Sequence, residues 1–393
     1  MTEPHDALSE LLARLHAGQA ELLGLIERLV RVNSYTRNIA GVDAVGELLA
    51  EALAGTSLRV AREQPDGLGT HLAFSTPAAR RGAPILLIGH HDTVFPPGTF
   101  EGFRSEGGRA YGPGVLDMKG GLALIVAVLR TLETAGVLAD LPLVFVSVSD
   151  EEIGSPSSQP LLTRLAHGAR CALVFEAGRV GDKLITARRG SGHARVETFG
   201  RAAHAGNALA QGRNAIWTLA RFIDEAQRAQ FAQPGASLNV GLVRGGSARN
   251  TVPEHAECEI DLRFSDAEDE AGLRSLLEAA RQRAEQDVPE TRCELHWTTS
   301  RKPWARSAGS AALCATYAQH QRAAGLLAGE ADVIGGGSDA NTVGALGIPT
   351  LDGLGPRGSG FHTHAERIEI DSLPRKAEAL LRFLLDAHKN ERT

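Results

Sequence analysis

The chain has 393 residues, which is long for one hydrophobic core and favours two domains. Hydrophobic residues make up 43% and charged residues 22%, the proportions of a soluble globular protein rather than a disordered one. The formal net charge of −6 disfavours a nucleic-acid-binding protein, which would carry a basic surface. No apolar run reaches the roughly 18 residues of a membrane span, and the N-terminus lacks the pattern of a secretory signal. We therefore expect a cytoplasmic protein with no membrane or nucleic-acid partner.

The cysteines are scattered, with no CxxC spacing. The sequence therefore predicts neither a thiolate metal site nor a disulfide framework. The four residues are Cys171, Cys258, Cys293 and Cys314.

The first part of the chain alternates helix and strand patterns. Apolar residues at helical spacing predict helices at 6–31, 41–54 and 119–132. Short runs rich in Leu, Val and Ile predict buried strands at 84–92, 141–150 and 171–177. Strand alternating with helix predicts an α/β fold with a mostly parallel sheet covered by helices.

The pattern changes near residue 190. Alternating polar and apolar residues predict half-buried antiparallel strands at 193–199, 237–243 and 255–264, with helices at about 212–230 and 268–287. After residue 303 the α/β pattern returns and ends in a helix at 372–388. We therefore expect an α+β domain at 190–303, inserted between the two parts of an α/β domain at 1–189 and 304–393.

Potential metal ligands begin at the end of the first predicted strand. Side chains alternate along a strand, so His90 and Asp92 point one way and His91 points the other. This arrangement suits His90 as a metal ligand whose ring is held by Asp92. The opposite assignment, with His91 as the ligand, stays open at this point.

Further carboxylates follow the strands. Asp117 lies among glycines at the start of a predicted helix, where it could cap the helix or bridge two cations. Three adjacent acids, Asp150, Glu151 and Glu152, follow the second strand. Such a group is costly without cations, unless it is a solvated acidic loop. Glu176 lies at the tip of the third strand.

With His362, which follows a glycine-rich stretch, these segments resemble the family of two-zinc metallopeptidases and deacylases. The family includes glutamate carboxypeptidase, succinyl-diaminopimelate desuccinylase, acetylornithine deacetylase and aminoacylase. The resemblance covers essentially the whole chain and is strongest to glutamate carboxypeptidase. Glu176 resembles the carboxypeptidase and desuccinylase branch rather than the aminopeptidase and tripeptidase branch. The family resemblance implies two zinc ions, or cobalt or manganese, that are bound by His90, Asp117, Glu152, Glu176 and His362, with Asp117 bridging.

The resemblance also implies roles for neighbouring residues. Asp92 would orient His90, and Glu151 would be the general base. The inserted domain would be a lid and dimerisation domain, giving a homodimer. In it, His204 would reach the partner subunit's active site and hold the oxyanion, although a turn-capping role is the alternative. The implied substrate-binding residues are Arg263, Asn250 and Gly360.

The implied activity is hydrolysis of an amide bond beside a free carboxylate. We expect a glutamate-type carboxypeptidase that releases a C-terminal amino acid from an N-acyl or peptidyl substrate. Three alternatives remain: an N-acyl amino acid deacylase, a non-catalytic metal-binding relative, and a single-domain or monomeric enzyme, in which His204 would have no site to serve. Glutamate-specific relatives carry a Lys soon after the position of Glu176, and here Lys183, Arg188 and Arg189 are the candidates, which leaves glutamate preference open.

Overall fold

The computed structural model describes residues 4–230 and 235–390. Its helices are α1 (Pro4–Ala17), α2 (Gln19–Val30), α3 (Ile39–Ala52), α4 (Gly120–Thr134), α5 (Ser158–Ala166), α6 (Ala215–Gln230), α7 (Ala267–Asp287), α8 (Ala308–Ala323), α9 (Asp339–Gly344) and α10 (Ser372–Asn390). Its strands are β1 (Arg59–Glu63), β2 (His71–Ser75), β3 (Ile85–His90), β4 (Arg104–Glu106), β5 (Arg109–Tyr111), β6 (Leu143–Val148), β7 (Cys171–Val174), β8 (Gly190–Phe199), β9 (Ala236–Gly245), β10 (His255–Phe264), β11 (Arg292–Arg301), β12 (Thr350–Leu351), β13 (Gly358–Ser359) and β14 (Arg367–Glu369).

The chain divides into two compact units. The first unit comprises the described residues of Met1–Thr186, Arg306–Val333 and Ser338–Thr393. The second comprises those of Ala187–Ala305 and Ile334–Gly337. Within the described ranges, none of the helices combines the length and apolar character needed to cross a membrane.

The first unit is built on a six-stranded sheet of order β1-β2-β6-β3-β7-β12. Strands β6, β3, β7 and β12 run parallel, whereas β1 and β2 are antiparallel additions. One hydrophobic cluster joins the sheet to helices, through residues such as Leu87 of β3, Leu129 of α4 and Leu384 of α10. These features confirm the predicted α/β fold. Because β3, β6 and β7 are parallel, their carboxyl ends share one sheet edge, where open α/β sheets carry their sites.

A second, smaller sheet of the first unit has the order β13-β14-β5-β4. In it, β14 pairs with β5, so Arg367 lies opposite Tyr111. The segment after β5 leads to Asp117, and the segment before β14 contains His362. This pairing therefore brings together two loops that are about 250 residues apart in sequence.

The second unit has a four-stranded antiparallel sheet of order β11-β8-β10-β9. Helices α6 and α7 pack on it through a hydrophobic cluster that includes Phe222, Leu277 and Ile260. Alternate residues of β8 and β10 carry charged side chains such as Arg195 and Glu257, which pair with each other. Strand β9 lies at one edge of the sheet. The predicted second domain of α+β type is therefore present.

Several local predictions were wrong. The single helix expected at 6–31 is two helices, because the chain is interrupted at Gly18, and glycine is a poor helix former. Asp117 does not open a helix: α4 begins at Gly120, and Asp117 has non-helical φ and ψ angles of −120° and 88°. Strand β11 was not predicted.

Candidate active site

Two histidines contact opposite oxygens of the Asp117 carboxylate. His90 Nε2 lies 3.2 Å from Asp117 Oδ1, and His362 Nε2 lies 3.2 Å from Asp117 Oδ2. His90 is the last residue of β3, whereas His362 lies in a turn with a φ of +60°. The carboxylate therefore has one imidazole on each side, the geometry required of a group that bridges two cations.

Two glutamates complete the cluster. Glu176 Oε1 lies 3.8 Å from His90 Nε2, and Glu152 Oε2 lies 3.1 Å from His362 Nε2. One potential ligand atom from each of His90, Glu151 and Glu176 also lies within 4.8 Å of the others. The five residues predicted as metal ligands are thus brought together, with Glu151 next to them.

The charges of this cluster are strongly perturbed. Burial and the neighbouring Asp117 carboxylate raise the pKa of Glu152 to about 8, and the same two causes raise the pKa of Glu176 well above its usual range. Hydrogen bonds to Asp117 and Glu152 raise the pKa of His362 to about 10. Burial opposes ionisation of Asp117, but hydrogen bonds from His362 and His90 hold its pKa well below the usual range. Crowded carboxylates of this kind are stabilised by cations, and His nitrogens with carboxylate oxygens suit a divalent metal such as zinc.

Asp92 contacts the His90 ring at Nδ1, the nitrogen that does not contact Asp117. His90 Nδ1 lies 3.3 Å from Asp92 Oδ1 and 3.1 Å from the Asp92 carbonyl oxygen. Burial opposes protonation of His90, but its hydrogen bonds to Asp117 and Asp92 raise its pKa well above the ordinary value. His91 instead points to β6, with Nδ1 at 2.8 Å from Ser147 Oγ, and burial lowers its pKa to about 4. The contacts therefore favour His90 over His91 as the residue that faces Asp117.

The acidic run after β6 separates into different environments. Asp150 Oδ2 accepts hydrogen bonds from the Ser157 N–H at 2.7 Å and the Ser157 Oγ at 2.6 Å. Asp150 thus anchors the following loop, a role that sequence reasoning did not assign. Glu151 and Glu152 begin a short 3-10 turn. The backbone N–H groups of these two residues donate hydrogen bonds to the Asp92 carboxylate, at 3.2 Å each.

Sequence reasoning also missed the role of Glu366. Its fully buried carboxylate accepts three backbone N–H groups: those of Gly114 at 3.0 Å, Leu116 at 2.8 Å and Asp117 at 3.0 Å. The only sequence signal for this role is the spacing of four residues from His362 to Glu366. The turn that carries His362 starts at Gly360, which has a φ of +81° and accepts a hydrogen bond from the Thr363 N–H at 3.0 Å.

The other predicted site residues belong to the second unit. His204 Nδ1 accepts hydrogen bonds from the backbone N–H groups of Gly206 and Asn207, at 3.1 Å each. When the ring is neutral, its proton is therefore on Nε2. The Asn250 carbonyl accepts the Ala205 N–H at 2.9 Å, so Asn250 lies beside the turn that carries His204.

The basic candidates differ in their surroundings. Arg263 pairs with Asp261 on the same strand through two hydrogen bonds of 3.0 Å. Arg188 is buried and donates to the Gly336 carbonyl at 2.8 Å. Lys183 of the first unit is exposed. Arg188 therefore uses part of its guanidinium to bind a backbone carbonyl, whereas the Lys183 side chain is accessible to solvent.

Comparisons with known proteins identify relatives of this chain. The chain is 30% identical over 375 residues to carboxypeptidase G2 of a Pseudomonas species, covering 94% of this chain and 89% of that protein. It is 28% identical over 335 residues to succinyl-diaminopimelate desuccinylase of Alkalilimnicola ehrlichii, covering 78% of this chain and 86% of that protein. A Staphylococcus aureus tripeptidase has the same fold, with a TM-score of 0.79 at 23% identity, covering 94% of this chain and 99% of the tripeptidase chain.

Residues 86–386 match Peptidase family M20/M25/M40. This range includes every residue of the cluster around Asp117. The family implies a divalent metal, and the described residues contain groups of His and carboxylate side chains suited to binding one. The chain therefore belongs to the M20/M25/M40 peptidase family and is a hydrolase of amide bonds.

Proposed function

We propose that this chain is a two-zinc carboxypeptidase that releases a C-terminal amino acid from an N-acyl or peptidyl substrate. The position of Asp117 between His90 and His362 carries the proposal, because a single carboxylate there can contact two cations. The similarity to carboxypeptidase G2 supports the choice of a carboxypeptidase. Cobalt or manganese would suit the same donors.

The proposed sites share Asp117. His90 and Glu176 would complete one site, whereas Glu152 and His362 would complete the other. Divalent cations held there would polarise the scissile carbonyl and lower the pKa of a water molecule. Since the pKa of Glu152 is raised to about 8 by burial and by Asp117, a positive charge at this position would favour its ionised form.

Glu151 is the proposed general base. It would take a proton from the attacking water and return it to the leaving nitrogen. Its neighbour Glu152 points to His362, whereas Glu151 lies with His90 and Glu176, so the two adjacent glutamates have different surroundings. The two N–H bonds to Asp92 fix the turn that presents both side chains.

An N-acyl amino acid deacylase is the second candidate. The similarity to a succinyl-diaminopimelate desuccinylase supports it. Both activities cut an amide bond whose nitrogen side carries a free carboxylate. They differ in the acyl group that is removed, which is a short group such as acetyl or succinyl in a deacylase. We propose that Arg263, Asn250 and Gly360 bind the substrate, with the guanidinium of Arg263 exchanging Asp261 for a substrate carboxylate.

We further propose a homodimer formed through the second unit. Strand β9 is an edge strand, and edges offer backbone groups for pairing with another chain. Large apolar side chains are exposed nearby, with exposed fractions of 59% for Val243 on β9 and 56% for Trp217 on α6. In a two-fold dimer the same surface would pair with itself. This surface is a candidate for burial against a second copy of the chain.

The dimer would give His204 its role. The turn hydrogen bonds leave Nε2–H as a donor, which is what stabilisation of an oxyanion requires. We propose that this donor serves the active site of the partner subunit. The observed bonds also satisfy the turn-capping alternative, so the two roles are compatible.

The substrate proposal is tested with purified protein stripped by a chelator and reloaded with zinc, cobalt or manganese. Substrates are N-acyl amino acids, dipeptides and folate-like glutamates, each compared with an analogue that lacks the free carboxylate. We expect turnover to require metal and the carboxylate. Asp117→Asn should lose both ions by elemental analysis while retaining the fold. Active protein with fewer than two ions would contradict the two-metal proposal. Turnover of acetyl or succinyl amino acids, but of no dipeptide or folate-like glutamate, would favour the deacylase.

A further inference from the structure

The loop before Asp117 is held by a carboxylate that does not belong to the proposed ligand set. We propose that Glu366 is a positioning residue that fixes the Asp117 carboxylate relative to His362 and so sets the affinity for both cations. This inference rests on the proposed function. It concerns Glu366 itself, whose part in the site is not implied by the ligand residues.

The carboxylate of Glu366 binds three backbone N–H groups of one loop. Oε2 accepts the Gly114 N–H at 3.0 Å, whereas Oε1 accepts those of Leu116 at 2.8 Å and Asp117 at 3.0 Å. Successive backbone N–H groups that converge in this way form an anion-binding concavity. Gly114 has a φ of +73°, a left-handed conformation that glycine adopts without steric cost. The loop is therefore wrapped around Glu366.

These bonds act directly on the residue that holds the cluster together. The Asp117 N–H is one of the three donors, so the backbone of Asp117 is tied to the Glu366 carboxylate. Asp117 is itself outside regular helix, because α4 begins at Gly120. Its position thus depends on bonds made by the loop rather than on a helical ladder.

Glu366 also belongs to the segment that carries His362. Its own N–H donates to the Thr363 carbonyl at 3.2 Å, closing the turn that follows His362. Directly after it, β14 pairs with β5, which leads into the Asp117 loop. One side chain therefore links the two loops from which the contact between His362 Nε2 and Asp117 Oδ2 is made.

A buried charge in this position is costly unless its hydrogen bonds are made. Burial raises the pKa of Glu366 to about 7, and the three backbone hydrogen bonds oppose that rise. Lys119, also buried, lies close enough to interact electrostatically with it and donates to the Val32 carbonyl at 3.0 Å. A simple packing role would not require a carboxylate that accepts three N–H groups.

The test compares Glu366→Gln and Glu366→Ala with wild type by equilibrium dialysis of zinc into the metal-free protein. Mutation of a group that supports metal ligands typically weakens metal affinity by about 10–100-fold. Glutamine retains one carbonyl oxygen, but its amide group would face an N–H. We therefore expect an intermediate loss for glutamine and the larger loss for alanine. Amide hydrogen exchange at positions 114, 116 and 117 should accelerate in both metal-free variants.

Glu133→Gln is the matched control. Glu133 also accepts a backbone N–H, that of Ser57 at 3.0 Å, but it lies near the end of α4 and away from Asp117. Its variant should retain wild-type zinc affinity. Unchanged affinity in Glu366→Gln and Glu366→Ala would overturn the inference while leaving the metal proposal intact. If Glu366→Ala does not fold, unchanged affinity and exchange in Glu366→Gln overturn it equally. Failure of the wild type to bind zinc would instead reject the proposed function.

Discussion

The carboxylate of Asp92 accepts the backbone N–H of Glu151, with 3.2 Å between Oδ1 and the nitrogen. The same oxygen lies 3.3 Å from His90 Nδ1. A single buried side chain therefore contacts both a proposed metal ligand and the turn that presents the proposed base. Hydrogen bonds and charge interaction with His90, together with a hydrogen bond from Thr36, lower the pKa of Asp92 despite its burial.

Asp92→Ala should impair both functions at once. Without the carboxylate, the His90 ring loses its support and the Glu151 turn loses two N–H acceptors. We expect metal affinity to fall about 10–100-fold, and kcat to stay reduced at saturating metal because the base is displaced. Dialysis and steady-state kinetics measure the two effects. Asp92→Asn should lose less metal affinity and less kcat than Asp92→Ala. A full kcat in metal-saturated Asp92→Ala would mean that Asp92 supports only His90 and not the Glu151 turn.

Glu151→Gln should retain the fold and the two proposed cations but lose most of the turnover. Removal of a general base typically costs about 10²–10⁴-fold in rate, and the Gln side chain preserves the shape of Glu. Elemental analysis and kinetics of the pure variant measure this. Glu152→Gln is the adjacent control, because it should lose metal affinity through its contact with His362. Activity of Glu151→Gln within a few-fold of wild type would mean that another residue takes the proton.

A mixture of two inactive variants tests the proposal that each active site is built from two subunits. His204→Ala and Glu151→Gln would be dissociated, combined and reassociated. In a mixed dimer, one site would receive an intact Glu151 from one chain and an intact His204 from the other. Activity should return to one site per mixed dimer, as measured after separating species by affinity tags.

The control for that experiment is reassociation of each variant with itself, which should remain inactive. Sequential purification on the two different affinity tags must show that mixed dimers form, and light scattering must show that they are dimers. If they form and no activity returns, His204 acts within its own chain or only in its turn. A monomer at all concentrations would reject the dimer directly.

The cysteines predict a pH dependence of stability. Burial raises the pKa of Cys171 and of Cys258 to about 12, whereas unfolded thiols ionise near pH 8.5. The folded pKa values are the higher ones, so unfolding releases protons at alkaline pH. The contribution of these buried thiols to stability is fully present below about pH 8.5. The free energy of unfolding then falls as pH rises through about 9 to 12. Urea denaturation at pH 8 and 10 measures the free energy of unfolding at each pH. We expect Cys171→Ala to reduce the fall in this free energy between the two pH values. If the free energy of unfolding falls equally in Cys171→Ala and wild type, the buried Cys171 thiol does not contribute to the pH dependence.

Most of the site residues were expected from the resemblance to a known family, whereas strand periodicity accounts for the preference for His90 over His91. The alternation of side chains separated His90 from His91, and the structure has their rings in different surroundings. The pattern of β10 was also clear, because polar and apolar residues alternate over its whole length from His255 to Phe264. Local rules of this kind depend only on neighbouring residues.

Other features depend on contacts that local sequence does not encode. The bonds of Glu366 to the Asp117 loop span about 250 residues, so the spacing from His362 to Glu366 could not reveal the partners of this carboxylate. Strand β1 is exposed along its whole length and shows no burial alternation. Strand β11 retains polar residues on both faces, including Thr298 and Thr299, which obscured its strand pattern.

The interrupted sequence of the first unit has a consequence for synthesis on the ribosome. Asp117 and both glutamates of the 3-10 turn are made early, but His362 and Glu366 emerge only after the entire inserted unit. Strand β12, which extends the main sheet beyond β7, also belongs to this late segment. When the inserted unit has just been made, the chain therefore still lacks His362, which contacts Asp117 and Glu152, and Glu366, which accepts the Asp117 N–H. The complete set of proposed metal ligands is therefore available only after most of the chain has been made.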